Sequence, residues 1–366
     1  MGRTKRDRNK ERRNMDTRPF ISVCTPTFNR RPFIEYMIKC FNHQTYPKEL
    51  MEWIIVDDGT DKIGDLVKHI PRVKYFEYPN KLTLGNKRNI MNEKSIGKFI
   101  VYMDDDDYYP PERVSHAVET LTNNPYAMCA GSSEMYIYFN HIKKMYQFGP
   151  YNTNHATAGT FAFRRELLRI TRFSDTASLA EEKEFLKNYT IPFVQLDAMK
   201  SILVFSHQHN TFDKRRLLEG DLSRNLVSES DKTLEMFIKD ADFIDFYTNR
   251  VPLLLQDYAP GRPNMKPDVI SQMVQIEMSR KKEAESAAAV AASNAGSINS
   301  NIAMLTPSGE YINMSMQQVA NELQQSRVAI NKLSALDLAN QVIISDLRGE
   351  LARYKKINEL CILEHV

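Results

Sequence analysis

Short apolar runs alternate with helical stretches from residue 20 onward, and this alternation sets the expected fold. Residues 20–25 read as a buried strand ended by Pro26, and 32–43 place Ile34, Met37, Ile38 and Phe41 on one helical face. Residues 51–57 predict a second buried strand closed by Asp58-Gly59, and 73–78 alternate like a third. Residues 84–92 look helical, and 98–103 predict a fourth strand running into Asp104-Asp105-Asp106-Asp107. Pro110-Pro111 opens a helix through residue 122, where proline's missing N–H costs nothing. Short strands follow at 127–131, 135–139, 160–163, 193–196 and 202–206, with one short helix near 181–187. The pattern predicts an α/β fold, a mostly parallel sheet with helices on both faces. Ligands of such sheets sit at the carboxyl ends of the strands. Three polar clusters fall there, at 25–30, 57–61 and 104–107.

The remainder reads differently. Residues 213–281 look helical, amphipathic over 234–255 and broken near Pro252. Residues 282–312 begin in an Ala/Ser/Asn-rich stretch without an apolar stripe, which fits a linker or weak helix. From Met316 to His365, ten of fifteen positions on a heptad seam are apolar, with Asp337 and Asn340 interrupting. That spacing makes 313–366 a candidate coiled coil and the chain a candidate homo-oligomer.

Charge changes the picture at one end. Residues 1–18 carry eight basic and three acidic side chains, +5 in a chain whose total is +3. The body is therefore at −2, and nucleic-acid binding by bulk charge is excluded for it. The arm reads as a disordered segment that an acidic partner could engage. Cys24, Cys40, Cys129 and Cys361 stand far apart, which argues against a disulfide framework or a zinc site. No apolar run reaches the length of a membrane helix, so the chain is expected to be soluble and cytoplasmic.

The strand-end clusters carry the candidate chemistry. Four adjacent aspartates repel one another and raise one another's pKa, a strain that a divalent cation offsets. Oxygen ligands suit Mn2+ or Mg2+, and alternate residues at a strand end point the same way, which favours Asp104 and Asp106. Asp58 could accept hydrogen bonds from a nucleobase, and Lys87-Arg88 would bring positive charge to a diphosphate. His207 and His209 share one face and could complete a metal shell or touch the diphosphate.

The run Ser22-Val23-Cys24-Thr25-Pro26-Thr27-Phe28-Asn29-Arg30, then Asp57-Asp58-Gly59-Thr60, Gly85-Asn86-Lys87-Arg88-Asn89 and the acidic tetrad through Pro111-Glu112-Arg113, resembles glycosyltransferase family 2. The resemblance is strong over about 20–125 and looser to about 210. It implies a GT-A (Rossmann-like) domain over 19–212 that moves a sugar, with inversion, from a nucleotide sugar to a hydroxyl acceptor on a glycan, protein or lipid-linked substrate. UDP is the commonest nucleotide in that family. It also implies donor contacts from Thr25, Pro26, Asn29, Arg30, Asp58 and Arg88, with Asp104 and Asp106 on ribose and metal. The tetrad permits two registers, so Asp105 stays open. The family's acidic pair falls on Glu181-Glu182, with Glu182 favoured as base, and Gly159-Thr160-Phe161 resembles the segment flanking the sugar pocket. Two rivals stand beside this reading. A nucleotidyltransferase would carry a Gly-rich or Lys-bearing loop near the first strand, and 25–30 has neither residue. An inactive scaffold assembled by its coiled coil would not need the intact carboxylates.

Overall fold

The strands form where the apolar runs lie. The computed structural model describes residues 18–211, 213–219, 222, 226–295, 302–305, 311–315 and scattered positions from 318 to 351. Strands β1 (Ile21–Thr27), β2 (Met51–Asp57), β3 (Val73–Glu77) and β4 (Phe99–Tyr102) pair in parallel in the order β3-β2-β1-β4. The sheet continues through β8 (Ala162–Arg164), antiparallel to both neighbours, to β5 (Cys129–Gly131) and β9 (Phe193–Gln195). A second sheet joins β10 (Leu203–Ser206), β6 (Met135–Phe139), β7 (Lys144–Phe148) and β11 (Val227–Glu229). The fold is thus mixed α/β around a mostly parallel sheet.

Every residue of β1 and β2 is buried, as expected of strands covered on both faces. One face packs against helices α1 (Ile34–Asn42) and α3 (Arg113–Asn123), in a cluster holding Val23, Ile55, Val101, Phe41 and Val114. Phe41 stacks on Trp53 at 4.4 Å. The other face meets helix α2 (Leu84–Lys94), where the Tyr102 hydroxyl donates to Asn92 (2.9 Å). Helix α2 has no apolar stripe, because its buried side is Gly85, Lys87, Arg88, Asn89, Met91 and Asn92. A Cβ at Gly85 would fall 2.0 Å from the Ser174 carbonyl, so only glycine lets the helix approach that loop.

The chain divides into two compact units, 1–269 and 270–366. Residues 213–269 belong to the first, and the described ones are less helical than the pattern of 213–281 suggests. They form β11 and short helical pieces, among them Leu234–Phe237, Ala241–Asp245 and Val251–Gln256. Between the last two, Phe246–Arg250 form a π-helical turn, so the α ladder is interrupted just ahead of Pro252, whose missing N–H cannot continue it. Aromatic stacking fixes the segment: Phe246 lies on Tyr36 (3.6 Å) and Tyr247 on Phe205 (4.2 Å). Helix α4 (Pro267–Ala295) extends into the stretch expected as a linker, consistent with alanine's high helix propensity. Strands β12 (Ile302–Leu305) and β13 (Tyr311–Met314) follow as an antiparallel pair. The basic arm and most of the heptad seam lie outside the described residues. No helix among those described is long and apolar enough to cross a membrane.

Candidate active site

All three polar clusters converge at the carboxyl ends of β1, β2 and β4. The cleft there measures about 450 Å3 including its open mouth, and Pro26, Arg30, Lys87, Arg88, Asp104, Asp105 and Asp106 are among its lining residues.

The four aspartates fan out to different partners. Arg30, buried at the end of the β1 loop, sits 3.4 Å from Asp105 and 3.1 Å from Asp106. Asp104 is 3.8 Å from Arg88, and its backbone N–H donates to the Tyr109 hydroxyl (2.6 Å). Asp107 turns away, accepting from the backbone of Phe205 (3.1 Å), and so anchors β10. Their titration follows. Burial raises Asp107 well above the carboxylate range, with Asp106 adding to it, and burial also raises Asp104 and Asp105. Burial would lift Asp106 as well, but Arg30 and His207 outweigh it and hold that carboxyl well below the usual range. Asp104 Oδ1 and Asp105 Oδ2 are buried without a hydrogen-bond donor.

His207 serves Asp106. Its Nδ1 accepts from the His209 backbone (3.2 Å), and its Nε2 lies between Asp106 Oδ2 (3.1 Å) and Asn210 Nδ2 (2.9 Å). Burial drives its pKa down to about 3, so the ring is neutral at ordinary pH. Both ring nitrogens are therefore engaged. His209 keeps a buried Nδ1 without a partner. Among the described residues, no group of three His, Cys, Asp or Glu side chains is arranged to hold an ion.

Several residues expected to touch the donor build the frame behind the cleft. Thr25 is fully buried; its hydroxyl donates to Met103 (2.7 Å) and accepts from Trp53 (2.9 Å). Asn29 adopts a left-handed φ of 53°, which asparagine tolerates, and accepts from the Asp61 backbone (2.9 Å). Asp58 gives one oxygen to Lys87 (2.7 Å) and the other to the backbone of Leu82 (2.5 Å).

Arg88 joins the acidic run to the acidic pair, lying 2.9 Å from Glu181. Ala180 precedes that pair with a φ of 53°, a conformation unusual for alanine and of the kind found at functional sites. Glu181 is pinned by Arg88, whereas burial, with Glu181 adding to it, pushes Glu182 up to about 7.

Three supports have roles that the sequence motifs do not spell out. Arg113 is fully buried and donates from one nitrogen to the carbonyls of Tyr102, Thr160 and Phe161 (3.1, 2.8 and 2.9 Å), tying β4 to the 158–161 segment. Tyr109 spans Asp104 and the Gly159 carbonyl (3.2 Å). Gly159 packs on Asp104, since a Cβ there would lie 2.7 Å from Oδ2. Gly159→Ala is expected to displace that carboxylate and cut turnover roughly tenfold to a hundredfold, with the melting temperature little changed. Steady-state kinetics beside a thermal melt check this.

Strand-end carboxylates set among arginines on such a sheet place the protein with the glycosyltransferases of the GT-A type. Residues 22–176 match the family model described as Glycosyl transferase family 2. An uncharacterized glycosyltransferase of Haemophilus influenzae is 24% identical over 234 residues, 60% of this chain and 88% of that protein. The GalNAc(5)-diNAcBac-PP-undecaprenol beta-1,3-glucosyltransferase of Campylobacter jejuni is 36% identical over 128 residues, 31% of this chain and 38% of that protein. The Staphylococcus aureus TarS 1–349 structure in complex with UDP-GlcNAc superposes with a TM-score of 0.40 at 20% identity, covering 51% of this chain and 58% of that one.

Proposed function

We propose that the chain transfers a sugar from a nucleoside diphosphate sugar, a UDP-sugar first, to an acceptor hydroxyl with inversion at the anomeric carbon. The observation that carries this reading is the juxtaposition within one site: donor-free carboxylate oxygens on Asp104 and Asp105, cations at Arg30, Lys87 and Arg88, and Glu182 next to the Arg88-bound Glu181. An oxygen-loving cation, Mn2+ or Mg2+, would be held by one or two carboxylates of this run, Asp104 and Asp106 first, and would draw its other ligands from the donor's phosphates. His207 orients Asp106, and a ligand role for His209 is not required. When bound, the metal neutralises charge on the departing diphosphate.

The remaining roles fall to the chain's own residues. Arg88 and Lys87 offer charge-assisted hydrogen bonds to the diphosphate. Glu182 takes the acceptor's proton, the acceptor oxygen bonds to the anomeric carbon, and the bond from that carbon to the diphosphate oxygen breaks. The Campylobacter relative's name makes a glycan hydroxyl the acceptor to try first. Residues 313–366 would assemble copies of the chain.

A screen of UDP- and GDP-sugars against glycan acceptors tests the reading. Transfer with one donor is expected with Mn2+ present, lost in EDTA and restored by added metal. A chain that neither transfers nor hydrolyses any donor with Mn2+ present would be a scaffold instead.

A further inference from the structure

The segment 258–269 lies outside the stretch matched by the family model, yet it closes over the cleft. It is tied to successive strand-end loops. The Tyr258 hydroxyl donates to Asp61 (2.8 Å), and Lys81 and the Ser178 hydroxyl both donate to Asp268 (2.7 and 2.6 Å). Gly261, at a φ of 80°, rests on the β1 loop so closely that a Cβ would lie 2.5 Å from the Asn29 carbonyl. A strap held at this many points is a fixed wall of the site.

Its one cation facing the cleft is Lys266. The residue is 3% exposed and lines both the main cleft and the adjoining cavity bounded by Phe28, Leu84 and Lys87. The other three cations of the cleft each lie against a carboxylate: Arg30 on Asp105 and Asp106, Lys87 on Asp58, and Arg88 on Glu181. Lys266 instead donates to a neutral acceptor, the His209 carbonyl, at 3.0 Å. A buried ammonium with a carbonyl for a partner is poorly compensated. Burial, with Arg30 adding to it and Asp106 and Asp105 opposing, pulls its pKa down to about 6, so the amine holds its proton firmly at neutral pH only when a further anion lies beside it. An anion entering the cleft would supply the charge the site lacks.

We infer that Lys266 contacts the diphosphate of the bound nucleotide, so that the strap, and not the family domain alone, completes the donor site. This rests on the donor reading given above. Such a contact adds affinity for the phosphates and none for the nucleoside.

The test is isothermal titration of the full chain, in Mn2+ buffer, with UDP and GDP and with uridine and guanosine at millimolar concentration. For Lys266→Met, binding of the preferred diphosphate is expected to weaken about tenfold or more while the matching nucleoside binds as before. Lys266→Arg, which keeps the charge, should recover most of the loss. Unchanged diphosphate binding in Lys266→Met overturns the inference. So does equal weakening of diphosphate and nucleoside, which would make Lys266 a strut of the strap. An unsubstituted chain that binds neither UDP nor GDP removes the donor reading itself, and this inference with it.

Discussion

Glu182→Gln is expected to lower turnover by about a hundredfold to ten-thousandfold while leaving UDP affinity unchanged, the range assigned to loss of a positioned general base. The site makes the split specific. Glu181 is committed to Arg88 at 2.9 Å, so its neighbour is the carboxylate left to take the acceptor's proton. Burial disfavours the charged form of Glu182 and places its pKa at about 7, near the pH at which a base is most effective. Only the deprotonated form accepts a proton, so kcat/KM should rise with pH through about 7 and then level off. The rising limb should vanish in Glu182→Gln. Stability should move the other way. An unfolded glutamate titrates near 4.5, so between 4.5 and about 7 the folded chain keeps a proton the unfolded chain has lost. The contribution of this group to stability therefore falls as the pH rises through that window. A pH profile unaltered by the substitution would move the base elsewhere.

The sheet was legible because its signals are local. Buried runs such as 51–57 cannot sit on a surface, and the Asp-Gly turn and the acidic tetrad mark where strands end. Helix α1 shows the same on one face, where Ile34, Met37 and Phe41 are buried as their spacing predicts. Helix α2 shows the limit. Its buried side is charged, and neither hydrophobic period nor propensity says that Lys87 and Arg88 point inward. What brings them there is Asp58, Glu181 and Asp104, supplied from other parts of the chain. Division of labour within motifs was hidden for a related reason. Thr25, Asn29 and Asp58 stand where nucleotide contacts are expected, yet the Thr25 hydroxyl, the Asn29 amide oxygen and both Asp58 oxygens are spent on neighbouring segments, which only the folded hydrogen-bond network reveals. Among the aspartates, Asp104 and Asp106 stood out by spacing, while the folded chain gives Asp106 Oδ2 to Arg30 and His207 and leaves oxygens of Asp104 and Asp105 without donors. Lys266 had no motif at all. Its position depends on a strap that joins the site from far along the chain.

Arg88→Met should be the most damaging single change to the fold of the site. Arg88 is buried at 2% exposure over the Tyr102 ring (4.6 Å), with Glu181 on one side and Asp104 on the other. Its pairing offsets the cost of burying two carboxylates, and removing it strands both. Breaking a buried pair from one side typically costs about 3–5 kcal/mol. Denaturant unfolding should show that loss, and donor binding should fail with it. The double variant Arg88→Met/Glu181→Gln separates the causes. The neutral pair removes the stranded charge at Glu181, the closer and more buried of the two carboxylates, so most of the stability should return. Transfer should not return, because the positive charge beside Asp104 is still missing at the diphosphate. If the double variant regained both, Arg88 would be only a counter-ion for Glu181. If it regained neither, the damage would lie in packing against Tyr102 and Phe173, which the methionine would then have failed to replace.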